Sequence, residues 1–173
     1  MAPQIPSESA IRVEIVIDDH ISSPIDDELI RIAVATAALD QGFISGSVGV
    51  RVTDDATIHA INAQHLGHDY PTDVISFDYG SAGGQIEGEL VVSVDTAIAR
   101  ASELGWPAHH ELTLYIVHGV LHIAGLNDVD DEDRNSMRAA EARVMKLLGI
   151  ATIPAVDDRN EGNAPRGLQE EQA

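Results

Sequence analysis

Residues 118–128 read HGVLHIAGLND. His118 and His122 stand four apart, Gly125 follows, and Asp128 closes the segment. On a helix, positions i and i+4 lie one turn apart on the same face, so two imidazoles can present nitrogens to one ion. A glycine after such a pair lets the chain leave the helix, often with positive φ. The chain can then bring a residue near position 128 back to the same ion. Two histidines and a carboxylate, with one position left for water, describe a catalytic zinc centre; a structural centre would be closed by a fourth protein ligand. His118, His122 and Asp128 are the candidate metal ligands and catalytic residues. Asp130 and Asp131 are alternative acids, and both also suit the N-terminal capping of the helix that follows.

The surroundings of the histidines favour a metal. Nearly every other residue in the run is apolar or small, and burying two imidazoles there without partners costs free energy. Gly119 and Gly125 each weaken a helix by roughly 1 kcal/mol relative to alanine, so each needs a reason. The spacing H-x-x-x-H-x-x-G-x-x-D also fits a metalloprotease ligand set. In the H-E-x-x-H motif, however, the glutamate is the general base, and here that position is Gly119. A carboxylate ligand lowers the charge of the centre by one unit compared with a third histidine, so a bound water is less strongly acidified.

Alternation and helical periodicity supply the elements that position these residues. Residues 11–18, 45–54, 73–79 and 87–96 read as strands. Residues 23–42 read as a helix with Ser23 as N-cap, Pro24 at its first position and Gly42 at its end. Residues 54–67, 95–105, 108–125 and 130–149 read as further helices, with 108–125 strongly apolar and buried through the middle of the domain. The order β-α-β-α-β-β-α-α-α describes an α+β fold: one domain, a four-stranded mixed sheet, about five helices, and the metal site on a central helix. The strands joined through GSAGG, residues 80–84, are expected to be antiparallel neighbours, and the first strand–helix–strand a parallel crossover. Residues 1–150 form this domain. Residues 1–10 read as frayed, and 151–173 as an acidic, disordered tail.

The chain has 173 residues, 44% of them hydrophobic, which suits one domain with a proper core. There is no cysteine, which excludes disulfides and thiolate metal sites. The N-terminus has neither the basic nor the apolar region of a signal peptide, and no apolar run approaches a membrane span. A cytoplasmic protein without membrane contact is expected. The net charge is −19, from 29 acidic and 10 basic residues. That repels polyanions and argues against a general nucleic-acid-binding surface. Any role on nucleic acid must be local, metal-assisted or delivered by a partner.

HGVLHIAGLND resembles the HGxLHLxGxDH signature of the YbeY family, bacterial single-strand-specific endoribonucleases of ribosomal RNA maturation. INAQHLGHDYPTDVISFDY, residues 61–79, is similar to that family's LNxxYRxxxxPTDVLSF segment, and EGELVVSVDTA, residues 87–97, to its GDIxIxxxxA strand. Met137, Glu141, Leu148 and Gly149 match the helix after the metal loop. The blocks span roughly residues 11–150 in the family's order. The resemblance implies an α+β fold, one zinc-like ion per chain held by His118, His122 and the residue at 128, and a phosphodiester substrate. It implies single-stranded RNA as substrate, in particular small-subunit rRNA within ribosomal particles, with the small subunit or a ribosome-associated GTPase as partner. Attack by water and attack by the RNA's own 2′-hydroxyl both remain open. A ribosome-assembly factor with a structural metal is the non-catalytic alternative.

Two departures from the family pattern matter. Asp128 stands where the third histidine belongs. Leu66 stands where an arginine belongs, and a guanidinium there would pair with phosphate. Arg51 is one substitute cation, or else a residue on the solvent face of a strand. His65 and His68 flank the gap, either as assisting cations or as loop surface. Thr72 and Asp73 could line the cleft as catalytic residues. Asp73 either orients a metal-binding histidine through its second ring nitrogen or makes a strand-entry hydrogen bond. Glu89 is either a cleft base or an exposed strand residue. His109 and His110 sit at the start of the metal helix, with Glu111 in its first turn, where the helix dipole favours an acid.

Overall fold

The computed structural model describes residue 3 and residues 9–150. The readings of residues 1–10 as frayed, for all but residues 3, 9 and 10, and of 151–173 as a disordered tail lie outside the described residues. Among the described residues the chain runs β1 (Ala10–Ile17), α1 (Asp27–Asp40), β2 (Ser45–Thr53), α2 (Asp55–Leu66), β3 (Val74–Asp78), β4 (Gln85–Ser93), α3 (Val94–Leu104), α4 (Ala108–Ile123) and α5 (Asp131–Leu147). The four strands form one mixed sheet in the order β1-β2-β4-β3. β1, β2 and β4 are parallel, and β3 is antiparallel to β4. The expected α+β fold and its antiparallel pair are both present, and β1 and β2 are joined in parallel through α1.

Caps explain most helix ends. Asp54 accepts a hydrogen bond from Thr57 N at the start of α2, and Gly67 ends that helix at φ 72°. Ser93 caps α3 and Asp130 caps α5, each accepting from the backbone N–H three residues on. One start is displaced from the sequence reading. α1 begins at Asp27 rather than at Pro24, because Asp26 and not Ser23 accepts the first free N–H, from Leu29 at 3.0 Å. Pro24 lies in the non-helical lead-in.

The two faces of the sheet carry different loads, as the period of two requires. Val48, Val50, Val52, Val74, Ile86, Leu90 and Val92 join the main core with α1, α3, α4 and α5. Ile75 and Val91 point the other way and pack with Ile58, Ile61, Leu66 and Phe77 beneath α2. α4 lies at the centre of the main layer, in contact with β3, β4, α1, α3 and α5. All thirteen residues from Glu111 to Ile123 are buried. That accounts for its all-round apolar character, which an amphipathic surface helix would not show.

The close seating of α4 needs small residues. An added Cβ at Gly119 would meet Leu90 Cδ2 at 2.5 Å and Val74 Cγ2 at 3.1 Å. On β4, a Cβ at Gly88 would meet Phe77 O at 2.5 Å and Ile123 Cδ1 at 2.8 Å. The two glycines bring helix and sheet together at neighbouring points, which fixes the helix that carries the histidines.

Candidate metal centre

His118 and His122 lie on successive turns of α4, both buried. Beyond Ile123 the helix ends through Ala124, and Gly125 takes φ 108°. The chain then reverses: Gly125 N donates to His122 O and Leu126 N to Leu121 O, each at 3.0 Å. The reversal carries Asp128 back over the helix end. His118, His122 and Asp128 thereby form the one group of metal-binding type found among the described residues.

Hydrogen bonds fix which nitrogen of each ring faces the centre. His122 Nδ1 lies 2.9 Å from Leu126 O. A carbonyl can only accept, so Nδ1 carries the proton and Nε2 is left with a lone pair. His118 Nδ1 lies 2.5 Å from Glu141 Oε1, and the carboxylate accepts in the same way. The two Nε2 atoms face each other at 3.0 Å, with Asp128 Oδ2 at 3.5 Å from one and 3.7 Å from the other. Two lone pairs and a carboxylate converging in a buried site repel one another unless a cation lies between them. A tetrahedral ion with ligands at about 2.0–2.2 Å separates its ligand atoms by about 3.3–3.6 Å, close to the spacing found. The donor set of two imidazoles and a carboxylate fits a zinc-class ion.

The remaining candidates fall in different places. The carboxylate at the second nitrogen of His118 is Glu141, not Asp73, and the second nitrogen of His122 meets a backbone carbonyl. Asp73 instead accepts from its neighbour Val74 N at 2.8 Å and from Thr72 Oγ1 at 3.4 Å, a strand-entry arrangement. Thr72 is buried beside it. Asp130 is the α5 cap, and Asp131 in the first turn pairs with Arg134. Arg134 also donates to Val129 O at 2.9 Å and to Asp128 O at 3.4 Å, which ties down the loop that carries Asp128.

Arg51 makes a two-pronged ion pair with Asp18, both contacts at 3.0 Å. The guanidinium holds the Asp18 carboxyl below its usual value, against the opposing effect of burial. Glu89 is exposed and accepts from Tyr79 OH at 3.3 Å. Its strand neighbours Gly88 and Leu90 face α4, so Glu89 is turned away from the metal helix. Leu66, in place of the family arginine, packs into the apolar cluster beneath α2. His65 is exposed. His68 stacks on Tyr70, ring centres 5.5 Å apart. At the far end of α4, burial and then the neighbouring His109 lower the His110 pKa, and the buried Glu111 accepts from Trp106 Nε1 at 2.9 Å.

Glu141 is the site residue that the sequence motifs do not single out, since they place it only in the matching helix. Its signal was present: an acid on the inward stripe Met137, Ala140, Glu141, Val144, Met145 of α5. A carboxylate on a core-facing stripe requires a polar partner.

A family model described as Endoribonuclease YbeY matches residues 13–149. A Rhodopirellula baltica protein named Endoribonuclease YbeY is 53% identical over 140 residues, covering 80% of this chain and 70% of that protein. A Salinibacter ruber protein of the same name is 31% identical over 163 residues, covering 90% of this chain and 98% of its own. The solution structure of TM1509 from Thermotoga maritima shares the fold, with a TM-score of 0.53, 21% identity, and coverage of 89% of this chain and 99% of that one. From within β1 to the end of α5, this chain belongs to the YbeY family.

Proposed function

We propose that this protein is a metal-dependent endoribonuclease that cleaves single-stranded RNA in the maturation of ribosomal RNA. The observation that carries this reading is the convergence of His118 Nε2, His122 Nε2 and Asp128 on one point, in a chain of the YbeY family. Zinc, one ion per chain, is the metal proposed, with His118, His122 and Asp128 as its ligands. When bound, it would supply Lewis-acid stabilisation of charge on a phosphoryl group.

The protein's own groups prepare that site. Glu141 and Leu126 O hold both imidazoles in the tautomer that turns Nε2 inward. Asp128 brings one negative charge to the centre and Glu141 a second beside it, together matching a divalent cation. Gly119 lets α4 seat against Leu90 and Val74, so the ligand helix has little freedom to shift. Proteolysis is disfavoured by the same contact. Position 119, where a metalloprotease carries its glutamate, faces Leu90 and Val74 with no room for a carboxylate side chain.

With a net charge of −19, the protein is expected to hold free RNA weakly. Delivery within ribosomal particles, by the small subunit or a ribosome-associated GTPase, is the setting proposed, in the cytoplasm. No helix among the described residues is long and apolar enough to cross a membrane. The testing experiment is cleavage of single-stranded RNA, and of pre-rRNA in immature particles, with and without chelator. Cleavage lost with chelator and in His122→Ala supports the enzyme. A protein that folds only with metal and cleaves neither substrate would instead be an assembly factor with a structural ion.

A further inference from the structure

The loop between α2 and β3 has an organisation that the metal centre does not use. His68 and Tyr70 stack with ring planes 10° apart and centres at 5.5 Å, within the range of offset aromatic stacking. Both residues are partly exposed, although His68 Nδ1 itself is buried. The loop is held from beneath by Asn62, a fully buried residue of α2: its side-chain Nδ2 donates to Tyr70 O at 2.9 Å, and its backbone carbonyl accepts from His68 N at 3.1 Å. One buried asparagine thus fixes the backbone of both ring-bearing residues. Leu66 anchors the end of α2 in the apolar cluster with Ile58, Ile75 and Val91.

The pair lies on the segment that leads into β3, whose first residue packs against α4. Tyr70 is four residues before Val74, so the chain between them spans at most about 14 Å. Val74 itself packs at Gly119, between the two metal-site histidines. The segment from His65 to Asp73 contains no lysine or arginine, so it offers no permanent cation of its own with which to grip phosphate. Planar rings are the binding chemistry it does offer. Every nucleobase has a π-face, and stacking on an aromatic side chain binds single strands without needing a positive surface.

Resting on the nuclease reading above, we infer that His68 and Tyr70 form a stacking platform for an unpaired base of the RNA substrate on the segment that leads from α2 into β3. The strand is then gripped through its bases at this edge rather than through its phosphates. Binding there depends on salt less steeply than a phosphate-gripping site would.

The test uses the full chain and a short single-stranded oligoribonucleotide carrying 2-aminopurine, whose fluorescence falls on stacking. The wild type is expected to quench the probe. Tyr70→Ala is expected to lose the quench and weaken binding roughly 5- to 100-fold, raising KM more than it lowers kcat. Tyr70→Phe keeps the quench. Tyr70→Leu fills the same space without a π-face; it serves if Tyr70→Ala does not fold, and is expected to lose the quench as well. Unchanged quench and affinity in folded Tyr70→Ala or Tyr70→Leu overturn the platform, even if RNA is cleaved. A wild type that quenches the probe but cleaves no RNA overturns the nuclease reading and leaves the platform standing.

Discussion

Glu141 of α5 meets His118 of α4 at 2.5 Å, oxygen to Nδ1, across 23 residues of sequence. Both side chains are buried. The contact fixes the tautomer of His118 and raises the basicity of its inward nitrogen. If the proposed zinc ion binds here, Glu141→Ala is therefore expected to weaken its binding about 10- to 100-fold. Glu141→Gln keeps an acceptor for Nδ1–H but loses the charge, and should fall between Glu141→Ala and the wild type. Competition against a chromophoric chelator reads the affinity, and circular dichroism of the metal-free variants shows whether the fold survives. Wild-type affinity in a folded Glu141→Ala would show that the carboxylate contributes only to packing.

Gly119→Ala tests the seating of α4. Alanine gains about 1 kcal/mol of helix propensity over glycine. The new methyl, however, meets Leu90 at 2.5 Å and Val74 at 3.1 Å, and overpacking a tight core costs about 1–3 kcal/mol. Leu90 presents the end of a flexible side chain and can move; the buried Val74 stands on the other side and leaves less room. A net loss of about 1 kcal/mol is expected, or about 2–4 °C in Tm. A variant more stable than the wild type in thermal unfolding would mean that the helix–sheet gap relaxes freely.

These two residues show what could be read from the sequence and what could not. The candidate triad His118, His122 and Asp128 falls within eleven consecutive residues, so helix periodicity and one glycine bend suffice to bring it together. Gly119 stands out in the sequence as a glycine inside an apolar helix that needs a reason, and the fold supplies it in the approach to Leu90 and Val74. Strand alternation and cap residues carry the element order and with it the α+β fold, and the family blocks agree with both. Glu141 was not placed at the site because its role depends on how α5 crosses α4, a long-range contact that local pattern does not encode. Local pattern leaves that role open to Asp73 for the same reason. The start of α1 was displaced because Ser23 and Asp26 are both good caps, and the choice between them lies in tertiary packing.

Leu66 carries the clearest departure from the family pattern, and its environment explains why leucine is stable there. It packs with Ile58, Ile75 and Val91 on the sheet face opposite α4. Leu66→Arg gives up that burial, although the arginine stem can lie along the same surface while its head reaches water. The expected result is a loss of about 1 kcal/mol, read as a fall of about 2–4 °C in Tm. A Tm equal to or above that of the wild type would show that the cluster beneath α2 does not depend on this side chain.

Asp40 and Arg143 join the end of α1 to α5 by two contacts, at 2.7 and 2.8 Å. Asp40 is the last residue of α1, where the helix dipole disfavours an anion, and its side chain is only 8% exposed. Arg143 offsets both costs. Its hydrogen bonds hold the Asp40 carboxyl below its ordinary value of 3.8, against the upward push of burial. A lowered folded-state pKa means that the contribution to stability is fully present above the unfolded value. It is lost as pH falls through the lower folded value. Arg143→Leu should therefore destabilise the protein by about 1–3 kcal/mol at pH 7, in the range for hydrogen bonds to charged groups. The difference from wild type should shrink as pH drops below about 4, where Asp40 becomes neutral in the variant and needs no partner. Urea unfolding of both proteins at pH 7 and in the acid range measures it. A difference that stays constant across that range would assign the effect of Arg143 to packing of its stem rather than to its charge.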